Sequence, residues 1–340
     1  MCPKNLKELK IKKVLVIGLS CLGDNLLLTP AIAKIRDTYR DAEFDIIVGL
    51  RGIDFAKDNP WFARYIVFNK RENIFRLIGQ ANKTRYDLIV DFRNSLLPFF
   101  LRGKYKMTFY RQEFFSEKNY THESKRMLDF IAPYFGKEQD IRLYFPLPKK
   151  DRDSMEERLR SMGIRNSDMR IVLNPGAGGS DKKWAKEKFA ALANELFSTY
   201  GDARIFITGV AGERPLGEEI KKLVNHGNIY NLAGETTLRE LGALLEKSDL
   251  LITNDSGTMH MAAAVNCPII AIFGPTNPYR YGPVGTKNIV VHSKIDCFPC
   301  KNRRRCRKNF LCLEKISVDQ VMKSAMLILD DKEQPLLFDL

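Results

Sequence analysis

The 340-residue chain reads as an α/β protein made of two Rossmann-like, doubly wound halves facing a cleft. Three observations predict this. Short apolar runs without polar alternation, as expected of parallel strands covered on both faces, recur from Lys13 to Phe273. Helical patterns separate them at βαβ spacing, which implies right-handed crossovers in parallel sheets. The alternation weakens once, between Gly136 and Lys150, where Pro146 and Pro148 stiffen the chain, and then starts again. A domain boundary is expected there, giving halves 1–145 and 146–340.

In the first half, strands are expected at Lys13 to Gly18, Phe44 to Gly49, Tyr65 to Phe68 and Asp87 to Asp91. Helices are expected at Leu26 to Tyr39, Asn73 to Lys83 and Thr121 to Phe135. In the second half, strands are expected at Arg170 to Leu173, Ala203 to Thr208, Ile229 to Leu232, Leu250 to Thr253 and Ile269 to Phe273. Its helices are expected at Lys186 to Thr199, Glu213 to Val224, Thr237 to Glu246, Thr258 to Val265 and Val318 to Leu329.

Composition narrows the class. A hydrophobic fraction of 44% and a charged fraction of 28% describe a globular protein with its own cores. No run approaches the ~20 apolar residues of a membrane span, and the N-terminus lacks the apolar segment of a secretory signal. A cytoplasmic protein is expected. The net charge of +14 points to an anionic partner, although a lysine-rich proteome would give the same balance. Cys2, Cys21 and Cys267 are scattered, whereas Cys297, Cys300, Cys306 and Cys312 cluster.

Ligands of doubly wound sheets bind beyond the carboxyl ends of strands, and three such loops carry unusual residues. Asn254-Asp255-Ser256-Gly257-Thr258-Met259-His260 leaves an apolar strand and opens an alanine-rich helix. Its backbone N–H groups and positive dipole end suit a pyrophosphate, and Gly257 lets phosphate approach closely. Helix capping by Asp255 or Ser256 is the competing reading. Asn174-Pro175-Gly176-Ala177-Gly178-Gly179-Ser180-Asp181-Lys182-Lys183-Trp184 could wrap a phosphate, with Lys182 as a point charge. Ser20-Cys21-Leu22-Gly23-Asp24 places a carboxylate after the first strand; Asp24 could accept a proton or simply cap the helix. Asp151-Arg152-Asp153 has the look of a manganese-binding carboxylate pair, a minor reading.

Together these loops, with Leu28-Thr29-Pro30-Ala31 and Phe273-Gly274-Pro275-Thr276-Asn277-Pro278, resemble glycosyltransferase family 9, the lipopolysaccharide heptosyltransferases. The resemblance runs from Lys13 to about Leu329 and implies a GT-B fold. It implies inverting transfer of heptose from ADP-heptose to an anionic inner-core glycolipid of the Kdo-lipid A type. The N-terminal half would bind acceptor and the C-terminal half the nucleotide sugar. Asp24 matches the family's general base. Lys182 matches the lysine that steadies the diphosphate, and the amides near Ser256, Gly257 and Thr258 would hold phosphate. Asp255 would contact sugar hydroxyls, Thr236 would lie by the adenine and Glu213 would reach the ribose. Asn174, Gly176, Ala177, Ser180 and His260 complete the expected donor site; Ser180 would substitute for hydroxyl residues that Gly176 and Ala177 replace. Gly18 departs from the family pattern, where arginine is usual, and Cys21 stands where a second serine is usual.

No divalent cation is obligatory, because fixed dipoles can meet the charge of the leaving diphosphate. The cysteine cluster could hold structural zinc or iron through Cys297, Cys300, Cys306 and Cys312, or present free or redox-paired thiols. Lys301-Asn302-Arg303-Arg304-Arg305-Cys306-Arg307-Lys308 would contact acceptor phosphates or the inner face of the cytoplasmic membrane, or be a solvated loop. Arg36, Arg40, Arg51, Arg93 and Arg102 could also serve an acidic acceptor. A protein acceptor, a sugar-nucleotide sensor and a nucleic-acid-binding protein are the competing functions. The last leaves the strand-end loops unexplained, so no nucleic-acid partner is expected.

Overall fold

Parallel pairing governs both sheets of the computed structural model, which describes residues 3, 5–69, 71–109, 121–285, 287–298, 300, 306–330 and 337–339. Cys2 and residues 301–305 of the basic segment lie outside the described residues.

The chain forms two compact units, Met1–Pro146 and Leu147–Leu340. The first runs β1 (Lys13–Ile17), α1 (Leu22–Thr38), β2 (Glu43–Gly49), α2 (Ile53–Ala56), β3 (Arg64–Phe68) and α3 (Ile74–Ala81). It continues through β4 (Tyr86–Asp91), α4 (Leu97–Phe100), β5 (Gly103–Thr108) and α5 (Glu123–Phe135). Its strand order is β3-β2-β1-β4-β5, so the chain reverses its direction of sheet growth between β1 and β4. Leu15, Ile17, Ile47, Ile66 and Ile89 form one apolar face, covered by Leu77 and Ala81 of α3 and by Leu97 and Leu101.

The second unit begins α6 (Lys149–Ser161), β6 (Arg170–Asn174), α7 (Lys186–Thr199), β7 (Arg204–Ile207), α8 (Arg214–Leu223) and β8 (Ile229–Asn231). Next come α9 (Leu238–Glu246), β9 (Leu250–Asn254), α10 (Gly257–Ala264), β10 (Ile269–Phe273), α11 (Pro278–Tyr281) and β11 (Asn288–His292). It ends with α12 (Leu311–Glu314), α13 (Val318–Asp330) and β12 (Leu337–Asp339). The strand order is β12-β11-β10-β9-β6-β7-β8, which puts this reversal between β6 and β9. Ile171, Leu173, Ile205, Ile252 and Ile270 pack with Phe189 and Leu196 of α7, Ile220 of α8 and Val321 of α13. Each fully buried aliphatic side chain of this kind contributes about 1.5–3 kcal/mol.

Helix boundaries follow local chemistry. In α9, Thr237 Oγ1 accepts from Glu240 N at 3.2 Å while Thr237 N donates to Glu240 Oε2 at 2.8 Å, a reciprocal cap. Helix α1 starts at Leu22 rather than near Leu26, because Asn25 turns back to bond the Cys21 carbonyl at 2.7 Å. Asp24 therefore lies inside the first helical turn and does not cap the helix. The sequence pattern missed β5, whose Lys-Tyr-Lys alternation is that of a half-exposed edge strand, and it also missed β11 and β12. The Asp151-Arg152-Asp153 segment belongs to α6, where Arg152 clamps both Glu246 oxygens at 2.6 and 2.7 Å and Lys149 takes Asp153 at 2.6 Å. Those contacts replace the metal reading of that segment.

Candidate functional site

Each unit gathers its polar strand-end residues at its own switch point, where two loops leave neighbouring parallel strands in opposite directions.

In the second unit, Asn174 ends β6 and is buried. Its Nδ2 donates to Thr253 Oγ1 and Ser256 Oγ, each at 3.1 Å, and its Oδ1 faces the Thr208 and Thr258 hydroxyls at 3.5 Å. Asn254 ties the same loops in the other direction: Nδ2 donates to Pro175 O at 2.8 Å and Oδ1 accepts from Trp184 N at 3.1 Å. Asn174 is thus a clasp between the β6 and β9 loops, and its polar atoms are occupied by protein.

That clasp leaves the start of α10 open. Ser256 occupies the N-cap position, yet no side chain caps the helix, and no acidic residue lies in the first turn. The hydroxyl of Ser256 is engaged with Asn174 and with Thr253 Oγ1 at 3.1 Å. The capping alternative for Asp255 and Ser256 is therefore not what the structure contains. First-turn N–H groups without a cap, on the positive end of a helix dipole, form an anion site.

Lys182 closes a 3-10 turn, Ser180–Lys182, and its ammonium meets Asp255 Oδ2 at 2.6 Å. The residues expected to hold diphosphate and sugar are paired with one another. Lys183 lies 3.6 Å from Glu213. Glu213 Oε2 accepts from Val210 N at 3.1 Å, and its carboxylate lies against Gly176, where any Cβ would collide with it. Gly176 is buried, Ala177 half-buried and Ser180 exposed. Thr236 is half-buried, two residues beyond Gly234, whose N bonds Gly209 O at 2.9 Å at the start of the loop leading to Glu213. His260 is buried within α10.

In the first unit, fully buried Asn25 holds the loop that carries Asp24. Its Oδ1 accepts from Leu19 N at 2.9 Å, and Nδ2 donates to the Leu19 and Cys21 carbonyls at 3.1 and 2.7 Å. A Cβ on Gly18 would fall 2.6 Å from Asn25 Oδ1, so a side chain there would make Asn25 shift. From the loop after β4, Arg93 reaches the same loop: Nε donates to Gly18 O at 3.0 Å and Nη1 to Ser20 Oγ at 3.2 Å. A guanidinium is thus delivered to the backbone at the position where the family pattern would put an arginine. Burial pushes the Arg93 pKa down, with the charges of Asp91 and Asp24 opposing. Asp91 anchors Arg93 by accepting its backbone N–H at 2.9 Å.

Burial, then the neighbouring Asp24 charge, raises the Cys21 thiol pKa. Cys21 also pairs with Arg51 in an isolated strand bridge. Of the five arginines singled out in the sequence, Arg51 and Arg93 come to the Asp24 loop. Arg36 instead bonds Trp61 O at 2.6 Å and lies over the Phe44 ring, whereas Arg40 and Arg102 are exposed.

Cys297, Cys300, Cys306 and Cys312 line one small cavity with Phe298, Lys308 and Phe310. Among the described residues, however, no group of three or more His, Cys, Asp or Glu is arranged to hold a metal ion. All four are free cysteines, and burial raises the thiol pKa of Cys312. No helix of the described residues is long and apolar enough to cross a membrane.

Two all-parallel α/β units of this strand order have the architecture of the GT-B fold. The family model described as glycosyltransferase family 9 (heptosyltransferase) matches residues 75–310, and the chain belongs to that family. It is 29% identical over 317 residues to lipooligosaccharide heptosyltransferase 2 of Campylobacter jejuni, covering 89% of this chain and 94% of the relative. The fold is similar to that of a family 9 glycosyltransferase from Veillonella parvula, with TM-score 0.78, 21% identity and coverage of 94% and 97%. It is also similar to E. coli ADP-heptose LPS heptosyltransferase II, with TM-score 0.75, 22% identity and coverage of 93% and 98%.

Proposed function

We propose that the chain transfers heptose, with inversion, from ADP-heptose to an anionic inner-core glycolipid of the Kdo-lipid A type, working in the cytoplasm at the inner face of the cytoplasmic membrane. The observation that carries this reading is the uncapped start of α10 at the β6/β9 switch point, with Lys182 and Asp255 beside it. The names of the heptosyltransferase relatives support the choice of donor and acceptor.

In this reading the diphosphate lies on the N–H groups of Gly257 and Thr258 and draws Lys182 away from Asp255, freeing that carboxylate for sugar hydroxyls. Glu213, held against Gly176, takes the ribose, and Thr236 lies by the adenine. Asp24 removes the proton of the acceptor hydroxyl as its oxygen attacks the anomeric carbon. The bond to the diphosphate breaks on the opposite side and ADP leaves. Helix-start amides and Lys182 stabilise the charge that grows on the leaving group, and no step needs a metal.

The test is titration calorimetry with ADP, UDP and GDP, followed by mass analysis of a deacylated Kdo-containing acceptor incubated with ADP-heptose. ADP should bind tightest and the acceptor should gain one heptose. Equal affinity for the three nucleotides, or no mass gain, would overturn the reading.

A further inference from the structure

Twelve large apolar side chains are exposed among the described residues, and five of them belong to one part of the first unit. These are Ile74 and Phe75 of α3, with Leu96, Phe99 and Phe100 in and before α4; Phe75, Leu96 and Phe99 are 73%, 71% and 69% exposed. The fold explains why they lie together. Helices α3 and α4 cover the same apolar sheet face through Leu77, Ala81 and Leu97, so their outer sides point away from that core together. Asn82, at the end of α3, ties them by donating to Phe100 O at 2.9 Å and accepting from Arg102 N at 2.7 Å. Phe75, Gly79 and Asn82 share one helical face, and nothing lies within 4 Å of where a Gly79 Cβ would stand.

The charge around this apolar stripe is one-sided. Residues 71–106 contain eight Lys and Arg and three Asp and Glu. Asp91 is buried under the Arg93 and Ser95 N–H groups, and Asp87 accepts from Lys12 N and Lys13 N. Glu72 alone remains outward, 3.9 Å from Arg76. On edge strand β5, Lys106 is in register with Ile89, so Lys106 and Lys104 rise on the face that α3 and α4 cover. Leu96 lies three residues beyond Arg93, whose guanidinium touches the Asp24 loop.

We propose that the α3–α4 face docks on an anionic phospholipid surface, with Phe75, Leu96, Phe99 and Phe100 entering the headgroup boundary and Arg76, Arg102 and Lys104 meeting lipid phosphates. Exposed aromatics flanked by long cationic side chains have the chemistry of an interfacial contact, in which apolar insertion and electrostatic attraction add. A lipid-anchored acceptor would then reach Asp24 without leaving the bilayer, so the purpose of the contact rests on the proposed acceptor. The contact itself does not.

Flotation of the full chain with phosphatidylglycerol-containing and with phosphatidylcholine vesicles tests it, without donor or acceptor. The native chain should float with the anionic vesicles. The double variants Phe99→Ser/Phe100→Ser and Arg76→Glu/Lys104→Glu should each reduce bound protein by at least ~tenfold. Both should keep native turnover on the deacylated acceptor, which shows them folded. Equal flotation with both lipids, or native flotation of either variant, would overturn the proposal. So would a dimer in sedimentation velocity that Phe99→Ser/Phe100→Ser dissolves, because a second copy would then cover the face. Failure of heptose transfer by the native chain would count against the transferase reading and leave the vesicle result standing.

Discussion

The two units share a topology and differ in where they put charge. At the β1/β4 switch point, the helix that follows β1 carries Asp24 in its own first turn, so a protein carboxylate sits at the positive helix end. At the β6/β9 switch point, α10 begins Gly257-Thr258-Met259 with no acidic residue and no side-chain cap. One helix start is occupied from within, and the other is left for an external anion. Parallel sheet topology makes both places available; in the proposed mechanism a few side chains decide that one serves as the base and the other holds phosphate.

The largest test removes the first unit's carboxylate. Asp24→Ala should lower turnover by ~10²–10⁴-fold with donor affinity nearly unchanged. Unchanged turnover in a steady-state assay would take Asp24 out of the reaction. The comparison can next be erased from the other side. Thr258→Asp gives α10 a first-turn carboxylate like that of α1, and ADP affinity by calorimetry should fall by ~10–100-fold, the worth of a charge-assisted hydrogen bond. Its thermal midpoint should hold or rise, since acids at helix starts stabilise. Weaker ADP binding caused only by unfolding would break the argument.

A smaller effect concerns the two asparagines that shape the loops. Asn25→Ala strands the Leu19 N–H, and Asn174→Ala removes the amide donor shared by the Thr253 and Ser256 hydroxyls. Each should cost ~1–3 kcal/mol in denaturant unfolding, and a cost near zero at either would show that its loop is held by something else. The smallest belongs to the second unit alone. The Arg152 hydrogen bond lowers the Glu246 pKa below the ordinary glutamate value of 4.5. Stability from this pair is therefore present above that value and lost as pH falls through the depressed one. Glu246→Gln should flatten that acid-side slope, by under ~1 kcal/mol, in a pH series of thermal midpoints. A slope identical to the native chain would remove the pair from the account.

Much of the fold was legible because buried parallel strands advertise themselves. Val14 to Ile17, Ile171 to Leu173 and Ile269 to Phe273 are continuous apolar runs, and all three became buried strands. Strand β5 was not legible, since an edge strand of alternating lysines is locally indistinguishable from a loop. Among site residues, the α10 loop was readable from its clustered polar residues. Asn25 and Arg93 were harder: Asn25 looks like an ordinary first-turn residue, and Arg93 lies just beyond another strand, 75 residues from Gly18 and joined to it only by folding.

By itself the sequence determined the two alternating halves, the strand-end loops and the family, because these depend on local periodicity and on short runs of residues. Tertiary structure alone decided that Lys182 faces Asp255 and that Glu213 fills the space above Gly176. Such contacts join segments far apart in the chain, and their distances depend on sheet order and loop path. Composition and periodicity carry neither.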